Sequence, residues 1–185
     1  DDMRVITGSA RGRKLEAPTG RDTRPTTDRV KESIFNIIQF DIEGRDVLDL
    51  FAGSGQMGIE CLSRGAKSCT FVEMDPKAQQ VVRRNIEVTG FQKQSRLIPG
   101  DALLALRQLN GNPFGLILLD PPYGGALLNQ ALERIVQIDN LRPGGIIVCE
   151  SAREDVIEPL RPPYAILKEY RYGAIKITTI TREAD

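Results

Sequence analysis

The stretch Asp46-Val47-Leu48-Asp49-Leu50-Phe51-Ala52-Gly53-Ser54-Gly55-Gln56-Met57-Gly58 decides the architecture. Its first half is a short apolar run that reads as a buried strand over 46–50. Its second half puts Gly53, Gly55 and Gly58 in the G-x-G-x-x-G spacing, between that strand and a helix expected over 56–64. Glycines so spaced allow a tight turn, close approach of backbone to a ligand, and close packing of helix on sheet. Glu73 ends the next expected strand, 68–73, where an acid can hold ribose hydroxyls. An adenosine-containing cofactor is expected; the competing explanation is a tight strand–helix turn that binds nothing.

Outward from this stretch the chain alternates. Strands are expected over 46–50, 68–73, 96–99, 114–119 and 145–150, and helices between them over 56–64, 76–89, 102–109 and 126–136. Gly65 suits a helix C-terminus, and Asp75-Pro76 suits an N-cap followed by N1. Alternation of this kind implies a doubly wound α/β fold with a mostly parallel sheet. After 150 the pattern changes. Segments 164–172 and 174–181 flank Gly173 with no helix between them, as in an antiparallel hairpin, which brings the expected sheet to seven strands. At the other end, 4–8 and 13–15 flank Gly8-Ser9-Ala10-Arg11-Gly12 as a small N-terminal β-hairpin extension. A helix capped by Thr26 or Thr27 follows, with Val30, Ile34, Ile37 and Ile38 on one face and Arg29 and Lys31 on its polar face. The expected boundaries are 1–25 for the extension and 26–185 for the main domain.

The strand 114–119 runs into Asp120-Pro121-Pro122-Tyr123. Proline cannot donate to a sheet ladder, so the strand must stop at Asp120. The prolines then stiffen the chain at the carboxyl end of the sheet, where α/β proteins bind ligands. An acid, carbonyls and an aromatic ring fixed there suit a flat group with an amine on its edge. Asp120 or the Pro121 carbonyl would accept the amine hydrogens, and Tyr123 would stack on the ring. A proline-rich turn in which Asp120 merely caps is the equal alternative, since so short a motif recurs by chance.

The glycine spacing alone would favour a nicotinamide dinucleotide. Asp49 argues against it, because an anion beside the loop suits an ammonium group and not a pyrophosphate. Asp101-Ala102, after the 96–99 strand, could read an adenine edge through a carboxylate and a backbone N–H. The Asp120 clamp offers no proton relay for hydride chemistry. A cationic cofactor with an amino-acid tail and an adenosine, S-adenosylmethionine, fits all three.

Composition narrows the classes further. The 185 residues are 41% hydrophobic and 27% charged, enough for one soluble domain with a full core. Asp1-Asp2 ahead of Met3 read as an added remnant, no signal peptide is seen, and no apolar run reaches spanning length, so no membrane association is expected. Cys61, Cys69 and Cys149 are odd in number and lack C-x-x-C spacing, as expected of reduced thiols in a cytoplasmic protein. There is no histidine, which excludes His-based triads and His-ligated zinc, and no metal site is expected. Net charge is zero, but 3–31 carries Arg4, Arg11, Arg13, Lys14, Arg21, Arg24, Arg29 and Lys31 against Glu16, Asp22 and Asp28. Such a segment can meet a polyanion, or it can be a solvated face.

Taken together, Asp49 to Gly55, Glu73, Asp101 and Asp120 to Tyr123 resemble the Rossmann-like S-adenosylmethionine methyltransferases that act on exocyclic amines. The stretches Arg4-Val5-Ile6-Thr7-Gly8, Arg11-Gly12-Arg13-Lys14-Leu15 and Arg24-Pro25-Thr26-Thr27-Asp28-Arg29-Val30 leading to Phe35-Asn36 are similar to the bacterial 16S ribosomal RNA guanine-N2 methyltransferase family. Gln56-Met57 depart from the small or apolar residues usual in that loop, a change expected to be without consequence. The resemblance implies that Gly53, Ser54 and Gly55 hold the methionine end of the cofactor, with Asp49 beneath them. It implies that Glu73 binds the ribose, Met74 packs on adenine, and Asp101 with Ala102 reads its edge. Asp120, Pro121 and Tyr123 would face the guanine. Arg11, Arg13, Lys14 and Arg24 would contact RNA. The implied partner is 16S ribosomal RNA or a small-subunit assembly intermediate, met by a monomer. Rival expectations are methylation of another amine (adenine N6 or protein glutamine) and a dinucleotide-dependent oxidoreductase or non-catalytic nucleotide-binding module.

Overall fold

A computed structural model describes residues 3–18 and 28–184 of the chain. Arg24 and the expected cap residues Thr26 and Thr27 lie outside the described residues. In chain order the elements are β1 (Met3–Arg4), β2 (Lys14–Leu15), α1 (Asp28–Ile37), β3 (Asp46–Asp49), α2 (Gln56–Ser63), β4 (Ser68–Glu73), α3 (Pro76–Thr89), β5 (Ser95–Pro99), α4 (Ala102–Gln108), β6 (Phe114–Leu119), α5 (Ala126–Ile138), β7 (Leu141–Ala152), β8 (Tyr164–Tyr172) and β9 (Ile175–Arg182). The seven-stranded sheet has the order β5-β4-β3-β6-β7-β9-β8. Strands β3 to β7 run parallel, while β9 pairs antiparallel with both β7 and β8. The order reverses direction at β3 and β6, the place where such sheets open a crevice.

Alternation along the strands sorts the core into two layers. Val47, Leu116, Leu118 and Val148 join α1, α2 and α3 on one face. Leu48, Ile117, Leu119, Ile147 and Cys149 join α4 and α5 on the other. Fully buried rings such as Phe35 and Phe71 each contribute roughly 1.5–3 kcal/mol of transfer free energy. The three thiols are buried and unpaired, and burial pushes all of them up from the usual thiol range.

The helix 76–89 forms with the expected ends. Asp75 accepts the Lys77 N–H at 3.1 Å as N-cap, and Gly90 closes the helix in the left-handed region. β7 is longer than the expected 145–150 at both ends: Leu141 pairs with Phe114 of β6 ahead of an irregularity in the register, and the antiparallel partner continues the ladder to Ala152 opposite Ile175.

The N-terminal hairpin differs most from expectation. Its ladder is only Met3–Leu15 and Arg4–Lys14. Val5 N still donates across the hairpin to the Arg13 carbonyl at 3.0 Å, but the N–H groups of Ile6 and Thr7 turn away and donate to the Glu60 carboxylate at 2.8 and 3.0 Å. The hairpin is thereby pressed onto the end of α2. Ser9 N and Ala10 N donate to the backbone and side-chain oxygens of Ser63, and a Cβ on Gly8 would lie 1.8 Å from the Ser63 carbonyl. Only glycine fits so close an approach, and its φ of +93° also favours glycine. Lys31, expected on the polar face of α1, is buried instead, 1% exposed. Its Nζ lies 3.3 Å from Glu60 and donates to the Arg4 carbonyl at 3.0 Å. α1 packs against both the hairpin and α2, so a residue beside Val30 meets a buried carboxylate where water would otherwise be.

Candidate active site

The carboxyl ends of the parallel strands open into one cleft of about 1170 Å³. That exceeds the roughly 300–1,000 Å³ of common small-ligand pockets, so it has room for a cofactor and part of a second reactant. An acid stands at or near this end of each parallel strand: Asp49 on β3, Glu73 on β4, Asp101 after β5, Asp120 after β6 and Glu150 on β7. All line the cleft. The lining is therefore rich in hydrogen-bond acceptors and suited to a cation.

The glycine loop is built by close contacts. A Cβ on Gly58 would sit 2.5 Å from the Phe71 ring and 2.6 Å from the Cys69 sulfur, so only glycine lets α2 lie this close to β4. Gly53 N donates to Glu73 Oε1 at 2.7 Å, and Asp75 N donates to Glu73 Oε2 at 2.9 Å. Glu73 thus shapes the loop. A carboxylate has about four lone-pair sites, so acceptor capacity remains on it. Asp49 accepts the Gly58 N–H at 3.2 Å and is 4% exposed. Burial pushes its pKa up to about 7, and the backbone hydrogen bond from Gly58 only partly opposes this. Asp101 caps α4, accepting the Leu104 N–H at 3.0 Å.

Gly53, Ser54, Met74, Ala102 and Tyr123 also line the cleft, while Gly55 and Pro121 do not. Gly55 is packed toward Phe71 and Val82. Pro121 is buried, and Pro122 takes the place on the wall. Met74 is 66% exposed at the rim, the side-chain type that adapts to a flat ring. Arg11, Arg13 and Lys14 are exposed on the hairpin and stand off the cleft wall; Arg13 also reaches the Val88 carbonyl at 3.4 Å.

Sequence reasoning missed three residues. Gln56, expected to be without consequence, has its Oε1 buried with no hydrogen-bond partner, and the residue lies on the cleft wall. That oxygen is an acceptor suited to an ammonium group. Asn85 ties Glu16, beyond the hairpin, to the Ser54 carbonyl through its side-chain amide. Glu150 accepts the Tyr123 hydroxyl at 3.1 Å. For Glu150 a signal existed, because each of the other expected parallel strands also has an acid within two residues of its end.

The family model described as Conserved hypothetical protein 95 matches residues 3–181. "Putative rRNA methyltransferase YlbH" of Bacillus subtilis is 47% identical over 173 residues, 92% of this chain and 94% of that protein. "Ribosomal RNA small subunit methyltransferase D" of Haemophilus influenzae is 35% identical over 178 residues, 94% of this chain and 91% of that protein. The solved structure of "Putative methyltransferase yhhF from Escherichia coli" superposes with a TM-score of 0.85 at 34% identity, covering 100% of both chains.

Proposed function

The chain belongs to the Conserved hypothetical protein 95 family, and from that premise we propose that it transfers a methyl group from S-adenosylmethionine to the exocyclic N2 amine of a guanine in 16S ribosomal RNA. One observation carries the site assignment: the glycine loop, the strand-end acids and Asp120 with Tyr123 share a single cleft. The acceptor-rich wall and the unpartnered Gln56 oxygen fit a cofactor that carries a sulfonium and an ammonium.

Gly53 and Ser54 hold the methionine end, Gly55 in the left-handed region turns the chain behind them, and Asp49 stands behind the loop. Glu73 receives the ribose hydroxyls, Met74 covers the adenine, and Asp101 with the Ala102 N–H reads the adenine edge. When bound, the cofactor supplies an electrophilic methyl on sulfur. Asp120, which lines the cleft, accepts an N–H of the guanine amine. The lone pair of that amine is delocalised into the ring, so holding it in line supplies much of the acceleration. The same carboxylate stabilises positive charge that develops on nitrogen as the N–C bond forms and the S–C bond breaks. The methylated nitrogen is then acidic and loses its extra proton to solvent, so no strong base is needed. The base leaves its stack to reach the cleft, as for other base-modifying enzymes, and Tyr123 offers its ring for stacking. The extension 1–25 serves as an RNA guide on the 26–185 methyltransferase domain, with Arg11, Arg13, Lys14 and Arg24 on phosphates. No helix among the described residues is long and apolar enough to cross a membrane.

The test is incubation of unmethylated small-subunit RNA, free and as ribonucleoprotein, with labelled cofactor, followed by digestion to nucleosides and mass analysis. N2-methylguanine is the expected sole product. Label in N6-methyladenine, or only in protein, would overturn the substrate assignment.

A further inference from the structure

Glu150 is a buried acid of the cleft to which the proposed chemistry gives no role. It lies on β7, is 4% exposed, and lines the cleft. The ladder between β6 and β7 ends on the pair Leu119 with Cys149. One step further along both strands sets Asp120 beside Glu150, at the roughly 4.8 Å spacing of neighbouring strands. Alternation turns both acids to the face of Leu118 and Val148, which also line the cleft. The Tyr123 hydroxyl donates to Glu150 Oε2 at 3.1 Å, so the stacking ring and this carboxylate are held together.

Two acids side by side match one arrangement of base donors. Guanine carries its N1–H next to its 2-amine, two donors in a row on one edge. Adenine carries its amine next to N1, which is an acceptor. An ionised carboxylate only accepts, so a second acid beside the first rewards guanine and repels adenine. We propose that Glu150 selects guanine by accepting the N1–H of the base whose 2-amine Asp120 holds. The assignment rests on the guanine-N2 function given above. A carboxylate has about four lone-pair sites, so Glu150 can accept a base N–H while it holds the Tyr123 hydroxyl.

The test uses the full chain and the RNA that it methylates, rebuilt with guanine or 2-aminopurine at the target position. 2-Aminopurine keeps the 2-amine but has an acceptor at N1. The wild-type protein should prefer guanine in kcat/KM by at least about tenfold, the scale of an unpaired buried acceptor. Glu150→Gln presents an N–H to N1 and should shrink that preference by about tenfold. Each ratio is taken within one preparation, so a partly unfolded variant does not move it. A wild type indifferent to the swap, or a variant with an unmoved ratio, including equal loss on both RNAs, overturns the role of Glu150. If wild type makes N6-methyladenine in the guanine RNA, the substrate assignment itself falls before any variant is measured. N2-methylguanine from wild type with an unmoved ratio in the variant removes only Glu150.

Discussion

Asp49 and Glu60 are carboxylates buried against the same helix, α2, and their surroundings are opposite. Glu60 is fully buried and meets donors on every side: Ile6 N, Thr7 N, Arg64 Nε at 2.9 Å and the Lys31 ammonium. Asp49, 4% exposed, accepts the Gly58 N–H on its side chain, and its pKa is pushed up to about 7. The first acid is saturated, and it fastens the hairpin to the domain. The second is left short of donors at the wall of the cleft, where a cationic ligand can complete its shell. Stability and binding are thus divided between two residues on one short stretch of chain.

The sharpest way to break this comparison is Glu60→Ala. It strands the Lys31 ammonium in the interior and leaves two backbone N–H groups without acceptors, so it should cost about 3–5 kcal/mol of stability. Thermal and denaturant unfolding would check it. A loss under about 1 kcal/mol would mean that the hairpin is docked by its apolar contacts alone.

Asp49 should show its effect through pH. Its folded pKa is raised above the ordinary value of 3.8 to about 7. The folded state therefore holds a proton that the unfolded chain releases, and stability from this group is fully present below about pH 4 and lost as pH rises through 7. Roughly three pKa units at about 1.4 kcal/mol each set the limit at about 4 kcal/mol. Asp49→Asn should remove this slope, so the variant gains stability over wild type at pH 8 but not at pH 4. Calorimetric melts across that range measure the difference, and parallel curves would show that Asp49 is ionised in the folded protein throughout.

The two ends of the cleft should separate binding from turnover. Glu73→Ala should weaken S-adenosylmethionine by about 1–3 kcal/mol, the scale of a charge-assisted hydrogen bond with its loop support. Asp120→Ala should keep cofactor affinity while turnover falls at least about tenfold. Titration calorimetry and single-turnover rates on both variants decide it. Unchanged affinity in the first, or near-normal turnover in the second, would break the division.

The smallest effect belongs to the hairpin surface. Neutralising Arg11, Arg13 and Lys14 together should weaken RNA binding without touching cofactor affinity. The slope of log affinity against log salt should fall by about one unit for each phosphate that is no longer neutralised. An unmoved slope would leave these residues as a solvated face.

The elements were legible because each announces itself locally. The 2-residue and 3.6-residue periods mark strands and helices, and Asp75-Pro76 marks a helix start. The glycine spacing marks the turn after β3, and the prolines after Asp120 mark the end of β6. Most of the cleft could be read for the same reason, since acids just past apolar runs fall at one end of a parallel sheet. What the sequence by itself determined is therefore the α/β order and the gathering of the glycine loop and the strand-end acids at one cleft. Tertiary structure alone decided that Lys31 is buried, that Glu60 replaces a strand partner for Ile6 and Thr7, and that Glu150 meets Tyr123. These pairs lie 29, 54, 53 and 27 residues apart, as Lys31 to Glu60, Ile6 to Glu60, Thr7 to Glu60 and Tyr123 to Glu150. Periodicity encodes which face of an element is apolar. It carries no information on which charged residue at the edge of that face will be roofed over by a distant element bearing the opposite charge.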